Sequence, residues 1–220
     1  MNYKVNAIIP AGGTSSRFGN KNKLLEKING KEVIKYTIDA FENSNVDEII
    51  ICANSTIIEE LENLFRNYKK VKIIEGGQCR QQSVFNGLKA SQCDYVLIHD
   101  AARPMISTDL INQTIEMVKD KKALTVATKT IDTIKEVIND KIIRTIDRSK
   151  LYNTQTPQAF EYELIKQAHE KLVNQNYTDD AGMLEELGYD VYILNGSYKN
   201  IKITTLNDVD IASVYLKEEV

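Results

Sequence analysis

Long apolar runs are missing from this chain of 220 residues. No stretch approaches the roughly 18 consecutive apolar residues that a membrane-spanning helix needs. The amino-terminal MNYKVNAIIPAGG has an apolar run only from Ala7 to Pro10, which leads into glycine rather than a cleavage site, so no signal peptide is expected. Polybasic blocks, and basic stretches interleaved with aromatics, are missing too. With 28 Lys and Arg against 31 Asp and Glu the formal net charge is -3, and no nucleic-acid-binding surface is expected. Cysteine is scarce: Cys52, Cys79 and Cys93 are odd in number and too far apart for a CxxC pair. Each reads as a small buried hydrophobe in a reducing compartment. Histidine is scarcer still. His99 reads as a core residue, and His169, on a helix with polar neighbours, as a surface one. HExxH, a Ser/His/Asp order and paired carboxylates do not stand out. These absences point to a cytoplasmic protein with no membrane partner.

What is present is alternation. Short runs rich in Ile and Val, at Val5–Ile9, Glu48–Cys52, Val71–Ile74, Tyr95–Ile98 and Leu124–Ala127, are separated by amphipathic stretches at 32–43, 57–68, 78–90 and 108–118. Continuous apolar strands, each followed by a helix, predict an α/β fold with a doubly wound, mostly parallel sheet covered on both faces. Further helices are predicted over 163–173 and, after a Thr178 cap, up to Leu187. Strands are predicted at Val191–Leu194 and Ile201–Ile203, and a final helix opens with Thr205-x-x-Asp208, a capping-box pattern. No repeat or linker interrupts the pattern, so a single domain over 1–220 is expected. The excursion at 130–152, TIDTIKEVINDKIIRTIDRSKLY, alternates about an Asn139-Asp140 turn signal and predicts a protruding β-arm. A lone hairpin is marginal in water, so it must pack on something, and a second subunit is the natural candidate.

Five motifs carry candidate chemistry. After the first strand comes Pro10-Ala11-Gly12-Gly13, then Arg17, Lys21 and Lys23. This is not a Walker A loop, because Phe18 stands where glycine would be needed. Glycine amides can still wrap a polyphosphate, and two cations on one loop can meet developing charge. Lys21 rivals Lys23 and reads as a solvated lysine. A second glycine pair, Gly76-Gly77, leads through Gln78 and Arg80 to Ser83 at a helix start. Third is His99-Asp100-Ala101-Ala102-Arg103-Pro104, with a carboxylate where a strand leaves the sheet, the place a Mg²⁺-nucleotide would want one. Arg103 could pair with a carboxylate or bind an anion. Fourth is Thr145–Arg148 followed by Gln155-Thr156-Pro157-Gln158, and fifth Asn200–Thr204 with Lys202. The lack of an obvious base fits a nucleophile already anionic at neutral pH, a phosphate monoester, for which positioning and charge neutralisation suffice.

Together, in this order and over nearly the whole chain, PAGGxxxRFG, GGxxRxxSVxxGL, HDAARP, TIK…DR…QTPQxF, TDD and NIKIT resemble the 2-C-methyl-D-erythritol 4-phosphate cytidylyltransferase family. The resemblance implies a cytoplasmic homodimer of the Rossmann-like nucleotidyltransferase fold whose β-arm reaches the partner, and CTP plus a sugar-alcohol phosphate giving a CDP-alcohol and pyrophosphate with Mg²⁺. It implies that Arg17 and Lys23 stabilise the pentavalent transition state and that Pro10, Ala11, Gly12 and Gly13 wrap the triphosphate. Gly77, Gln78 and Ser83 would hold the cytosine, with Arg80 in the same nucleotide-binding motif. Asp100 and Ala101 would line the ribose and metal side. Lys202, and Arg148 from the neighbouring subunit, would position the substrate phosphate, with Arg103, Thr133 and Thr156 completing the pocket. The chain departs from the family pattern in carrying Gly12 where PAAG is usual and in a short loop before Lys23, which leaves the choice between Lys21 and Lys23 open. Ribitol-5-phosphate cytidylyltransferases share the fold, but tend to have Val at Ala102, Ser at Thr178 and no RxxSVxxGL pattern, so the methylerythritol substrate is expected. A non-catalytic nucleotide-binding regulator on the same fold would have no need for both Arg17 and Lys23.

Overall fold

The structure, a computed structural model, describes residues 3–13 and 22–217. Seven strands form its main sheet: β1 (Val5–Ala11), β4 (Glu48–Ala53), β5 (Val71–Glu75), β6 (Tyr95–Ile98), β7 (Ala123–Lys129), β10 (Tyr152–Glu161) and β11 (Tyr192–Asn195). Their order is β11-β7-β10-β6-β1-β4-β5. Every neighbouring pair is parallel except those made by β10, which runs antiparallel to both β6 and β7. Two small hairpins stand outside it: β2 (Lys27–Ile28) with β3 (Lys31–Glu32), and β8 (Lys135–Ile138) with β9 (Lys141–Thr145).

The pleat of β1 shows why its sequence is apolar throughout. Ala7, Ile9 and Ala11 face one core, which the helices α1 (Val33–Glu42), α2 (Ile58–Phe65), α4 (Thr108–Lys121) and α7 (Leu206–Tyr215) complete. Ile8 faces the other, with α3 (Arg80–Ala90), α5 (Tyr162–Lys171) and α6 (Ala181–Glu186). A strand buried on both sides has no position left for polar alternation. Gly87 in α3 is what lets that helix lie close to β1: a Cβ there would stand 2.6 Å from Ile8 Cγ2 and 2.9 Å from Cys52 Sγ.

Local signals hold where they are chemically specific. Asn139 and Asp140 both adopt positive φ, 49° and 61°, as a two-residue hairpin turn requires. The Thr205/Asp208 capping box forms at the start of α7. Elsewhere the expectations need correction. Tyr152–Glu161 is a long strand; its polar Asn153-Thr154-Gln155-Thr156 stretch hides the pattern, and its register against β7 shifts between Thr154 and Gln158. Ile201–Ile203 forms no strand, although Ile203 N donates to Ala102 O at 2.8 Å. Thr178 does not cap α6; Asp180 occupies the N-cap position. Of the cysteines only Cys52 is buried, whereas Cys93 is half-buried and Cys79, the N-cap of α3, is exposed. His169 is buried, because α5 turns it inward against α3, where its ring stacks on Phe85 with centroids 5.8 Å apart. Among the described residues no helix is long and apolar enough to cross a membrane.

Candidate functional site

The sheet order creates a crevice. From β1 the chain builds outward through β4 and β5, then returns to place β6 on the other side of β1. The loops leaving β1, β5 and β6 therefore meet at one carboxyl edge, the usual ligand position in open α/β sheets. There they wall a cleft of about 270 Å³ lined by Pro10–Gly13, Lys23 and Leu24, Gln78–Arg80, Asp100–Ala102 and Lys202. Four of the five sequence motifs thus supply its walls, across 192 positions of chain from Pro10 to Lys202 (202 − 10).

The Gly-rich loops are built for close approach. A Cβ on Gly12 would lie 2.9 Å from Ser83 Oγ and 3.3 Å from Gly77 O, whereas a Cβ on Gly13 would meet no atom of the described residues within 4 Å. Ser83 itself does not line the cleft. Buried beneath the loop, its hydroxyl accepts from Gly77 N at 2.9 Å and donates to Cys79 O at 2.9 Å. Gln78 N donates to Gln82 Oε1 at 2.9 Å. Side chains on the first turn of α3 thus hold the Gly77-Gln78 backbone.

Asp100 is the electrostatic centre. Arg80 Nε approaches its Oδ1 at 2.9 Å, Lys202 Nζ its Oδ2 at 2.8 Å, and Arg103 Nε lies 3.8 Å from Oδ2. Burial works against the carboxylate, but Arg80 and Lys202 overcome it and hold Asp100 well below the ordinary carboxylate range. Arg80 also pairs with a second, buried carboxylate, Asp180, at 2.8 Å; two anions among Arg80, Arg103, Lys202 and Lys23 still leave a surplus of positive charge, which suits a polyanionic ligand.

Behind Asp100 lies a hydrogen-bond ring. Asp100 N donates to Thr156 Oγ1 at 3.1 Å, and Thr156 Oγ1 lies 3.0 Å from His99 Nδ1. Because the hydroxyl accepts from the amide, it is free to donate to Nδ1, and the His99 proton then sits on Nε2, facing Arg103 O at 3.4 Å. Burial pushes the His99 pKa down to about 3, so the imidazole is neutral. Arg103 Nη1 donates to Asn200 O at 2.7 Å, and Asn200 Nδ2 returns to Thr156 O at 3.0 Å. The ring anchors the 100–103 loop and the segment carrying Lys202 to β10. Lys23 Nζ donates to Ile203 O at 2.9 Å, tying the first loop to the same segment.

Pro10, Ala11, Gly12, Gly13, Lys23, Gln78, Arg80, Asp100, Ala101 and Lys202 line the one cleft. Arg103 and Thr156 support Asp100 from behind. Gly77 and Ser83 shape the loop rather than the wall. Thr133 and Arg148 lie exposed on the arm, where Arg148 Nη1 donates to Ile131 O, and neither reaches the cleft of its own chain. Arg17 and Lys21 lie outside the described residues. Asn200 escaped the sequence reading in spite of its place in NIKIT, because a buried Asn gives no periodic signal. Asp180 escaped it although it belongs to TDD.

A Rossmann-like sheet, a glycine-bearing loop after its first strand and a cation-rich cleft at the switch point define an α/β nucleotidyltransferase. The chain belongs to the 2-C-methyl-D-erythritol 4-phosphate cytidylyltransferase family, whose profile matches residues 5–218. It is 43% identical over 225 residues to the 2-C-methyl-D-erythritol 4-phosphate cytidylyltransferase of Clostridioides difficile strain 630, covering 96% of this chain and 93% of that one. It is 41% identical over 227 residues to that of Halalkalibacterium halodurans, covering 100% and 99%. The crystal structure of the 4-diphosphocytidyl-2C-methyl-D-erythritol synthase from Anaerococcus prevotii matches with a TM-score of 0.89 at 32% identity, covering 98% of this chain and 96% of that one. Membership makes the protein an enzyme, a cytidylyltransferase of the non-mevalonate route to isoprenoid precursors; the ribitol 5-phosphate alternative is not favoured.

Proposed function

We propose that the cleft joins CTP to 2-C-methyl-D-erythritol 4-phosphate by direct attack of the substrate's phosphate oxygen on the α-phosphorus of CTP. That O–P bond forms as the bond from the α-phosphorus to the bridging oxygen breaks, and pyrophosphate leaves with both electrons. No base is needed, since the attacking oxygen is already anionic. The observation that carries this reading is the placement of Lys23, Arg80 and Lys202 in one cleft with the Gly12-Gly13 loop.

In this reading Pro10–Gly13 cradle the triphosphate. Lys23, with Arg17 from outside the described residues, neutralises charge at the pentavalent phosphorus. Gly77, Gln78 and Ser83 shape the cytosine pocket, and Asp100 and Ala101 face the ribose. Lys202 leaves Asp100 for the substrate phosphate, aided by Arg103 and Thr156 and by Thr133 reaching the site on the neighbouring subunit's arm. Asp100 suits Mg²⁺ arriving on the triphosphate: it is an ionised carboxylate at the wall, and Mg²⁺ is commonly held by one or two carboxylates plus phosphates and water. Among the described residues no cluster of three or more His, Cys, Asp or Glu is placed to hold a metal by itself, so phosphates would supply the other ligands. When bound, the ion would neutralise triphosphate charge.

The enzyme works as a cytoplasmic homodimer in this reading, with 1–220 as one nucleotidyltransferase domain and the arm reaching the neighbour. The arm's apolar side chains support it: Ile131, Val137, Ile138, Ile142 and Ile143 are each half or more exposed, an unusual concentration on a two-stranded hairpin. Arg148, stranded on that arm, then completes the partner's substrate pocket.

The deciding test is pyrophosphate release from CTP and Mg²⁺ with either 2-C-methyl-D-erythritol 4-phosphate or ribitol 5-phosphate. A kcat/KM preference of about a hundredfold or more for the former is expected of a pocket built around specific hydroxyls. Preference for ribitol 5-phosphate would refute the assignment of the alcohol. Lys23→Ala is expected to lower kcat by about 10²–10³, the usual cost of a preorganised transition-state donor. Turnover surviving within a few-fold would remove Lys23 from that role.

A further inference from the structure

Arg80 does not stand alone in the cleft. Its Nε faces Asp100, while Nη1 lies 2.8 Å from Asp180 Oδ2. Asp180 Oδ1 in turn lies 3.2 Å from His169 Nε2. The side chains of Asp180 and His169 are each only 1% exposed. Four residues, from the loop after β6, from α3, from the loop before α6 and from α5, thus form a chain running from the cleft wall into the core.

Stability alone is a weak reason to build it. Burying an ion pair costs several kcal/mol of desolvation per ion, and an apolar replacement is often neutral or stabilising. The far end even leaves His169 Nδ1 buried without a hydrogen-bond partner among the described residues, a further cost. What the chain does achieve is restraint. A guanidinium hydrogen-bonded to Asp100 through Nε and ion-paired with Asp180 at Nη1 is held between two carboxylates, which narrows the orientations available to it. Asp180 is itself pinned: its backbone N–H donates to Gln158 Oε1 at 2.9 Å, and Gln158 sits fully buried on β10. His169 is clamped by Phe85, which belongs to the same helix as Arg80, with the rings 12° from parallel. Both ends of the Arg80 fork are therefore fixed to rigid elements.

We propose that Asp180 and His169 are positioning residues for cytidylyl transfer, holding Arg80 in the one rotamer that presents Asp100 to the incoming nucleotide. The proposal rests on the reading of Arg80 and Asp100 as nucleotide-facing groups. Without Asp180 the guanidinium would keep a single carboxylate and could swing away from the wall, and Asp100 would follow Lys202.

The test is a double-mutant cycle of Arg80→Ala and Asp180→Asn on kcat/KM for CTP, with folding checked by circular dichroism and thermal midpoint. Asp180→Asn is expected to lower kcat/KM about tenfold or more in the wild-type background and by less than about twofold when Arg80 is already alanine, since residues acting as a unit are strongly non-additive. His169→Leu is expected to cost about tenfold, and His169→Gln, which keeps an N–H donor, to recover activity to within about threefold of wild type. Independent, additive losses would overturn the proposal. So would a variant with a lowered thermal midpoint but unchanged kcat/KM, the mark of a purely structural role. An Arg80→Ala enzyme with normal kcat/KM for CTP would instead overturn the nucleotide-facing reading beneath it. If Asp180→Asn does not fold, the His169 pair decides the matter alone: equal activity of the Leu and Gln variants would overturn the proposal.

Discussion

His99 shows how burial turns a titratable side chain into scaffold. An imidazole beside Asp100 has the chemistry of a base, but His99 is fully buried and its pKa is pushed down to about 3. Its unfolded counterpart titrates near 6.5. Between those values the unfolded chain binds a proton that the folded one refuses, so stability from this group is complete above pH 6.5 and is lost as pH falls towards 3. The slope is about 1.4 kcal/mol per pH unit. His99→Gln is expected to remove one proton's worth of that slope, read from urea midpoints at several pH values across the window. An unchanged slope would show that His99 is protonated in the fold. Asp180 adds to acid sensitivity at lower pH: burial raises its pKa, but Arg80 and His169 more than offset this and hold it below the usual value. Its contribution is present above the unfolded pKa and is lost as pH falls through the folded one. In the same way Asp100 shows that a carboxylate's surroundings, rather than its motif, decide its charge.

At the level of elements, α3 has the most to do. Its first turn carries Arg80, its cap Cys79 lines the cleft, Ser83 holds the glycine loop, and Gly87 seats it on β1. Gly87→Ala would drive a methyl to within 2.6 Å of Ile8 Cγ2, on a β1 strand that has no room to retreat. Overpacking of this kind typically costs about 1–3 kcal/mol. Chemical denaturation should show a loss in that range, with KM for CTP also rising as the first turn of α3 tilts. A fully native variant would mean that helix and sheet separate more easily than the packing implies. The arm is the opposite kind of element. Its β8–β9 pair forms a two-stranded sheet of its own, with its isoleucines exposed, so its usefulness depends on what it meets. If the arm joins two subunits as proposed, Ile138→Asp with Ile142→Asp should give a monomer in sedimentation velocity and cost activity; an unchanged sedimentation coefficient would remove the arm from assembly.

The whole molecule couples these parts. If two sites each borrow Arg148 from a neighbour, mixing inactive Arg148→Ala subunits with inactive Lys202→Ala subunits should regenerate one intact site per heterodimer. No recovery in the mixture would count against shared sites. Nucleotide should also stabilise the fold as a unit, because the cleft joins loops from β1, β5 and β6. At a hundred times its Kd, CTP should add about 2.7 kcal/mol, worth roughly 5–10 °C in thermal midpoint for a protein of this size. Lys202→Ala should leave most of that shift in place if Lys202 serves the alcohol phosphate rather than the nucleotide.

Much of the architecture follows from the sequence alone, because it rests on local rules. Continuous Ile and Val runs mean strands buried on both faces, Asn139-Asp140 means a positive-φ turn, and Thr205-x-x-Asp208 means a capped helix. The loops bearing Gly12, Gly77 and Asp100 are legible for the same reason: they occur where apolar runs stop. Other features were set only by tertiary structure. Tyr152–Glu161 is polar for half its length and becomes a strand because β6 and β7 offer it ladders on both sides. Ser83 reads as a plain helix residue until the loop folds back onto its hydroxyl. His169 looks solvated beside polar neighbours and is buried because α5 packs that face on α3. Spacing along the chain carries no record of contacts between residues a hundred positions apart, such as Arg80 and Asp180. Those contacts, which decide which charges are held and which are free to meet a ligand, exist only once the two layers of helices close on the sheet.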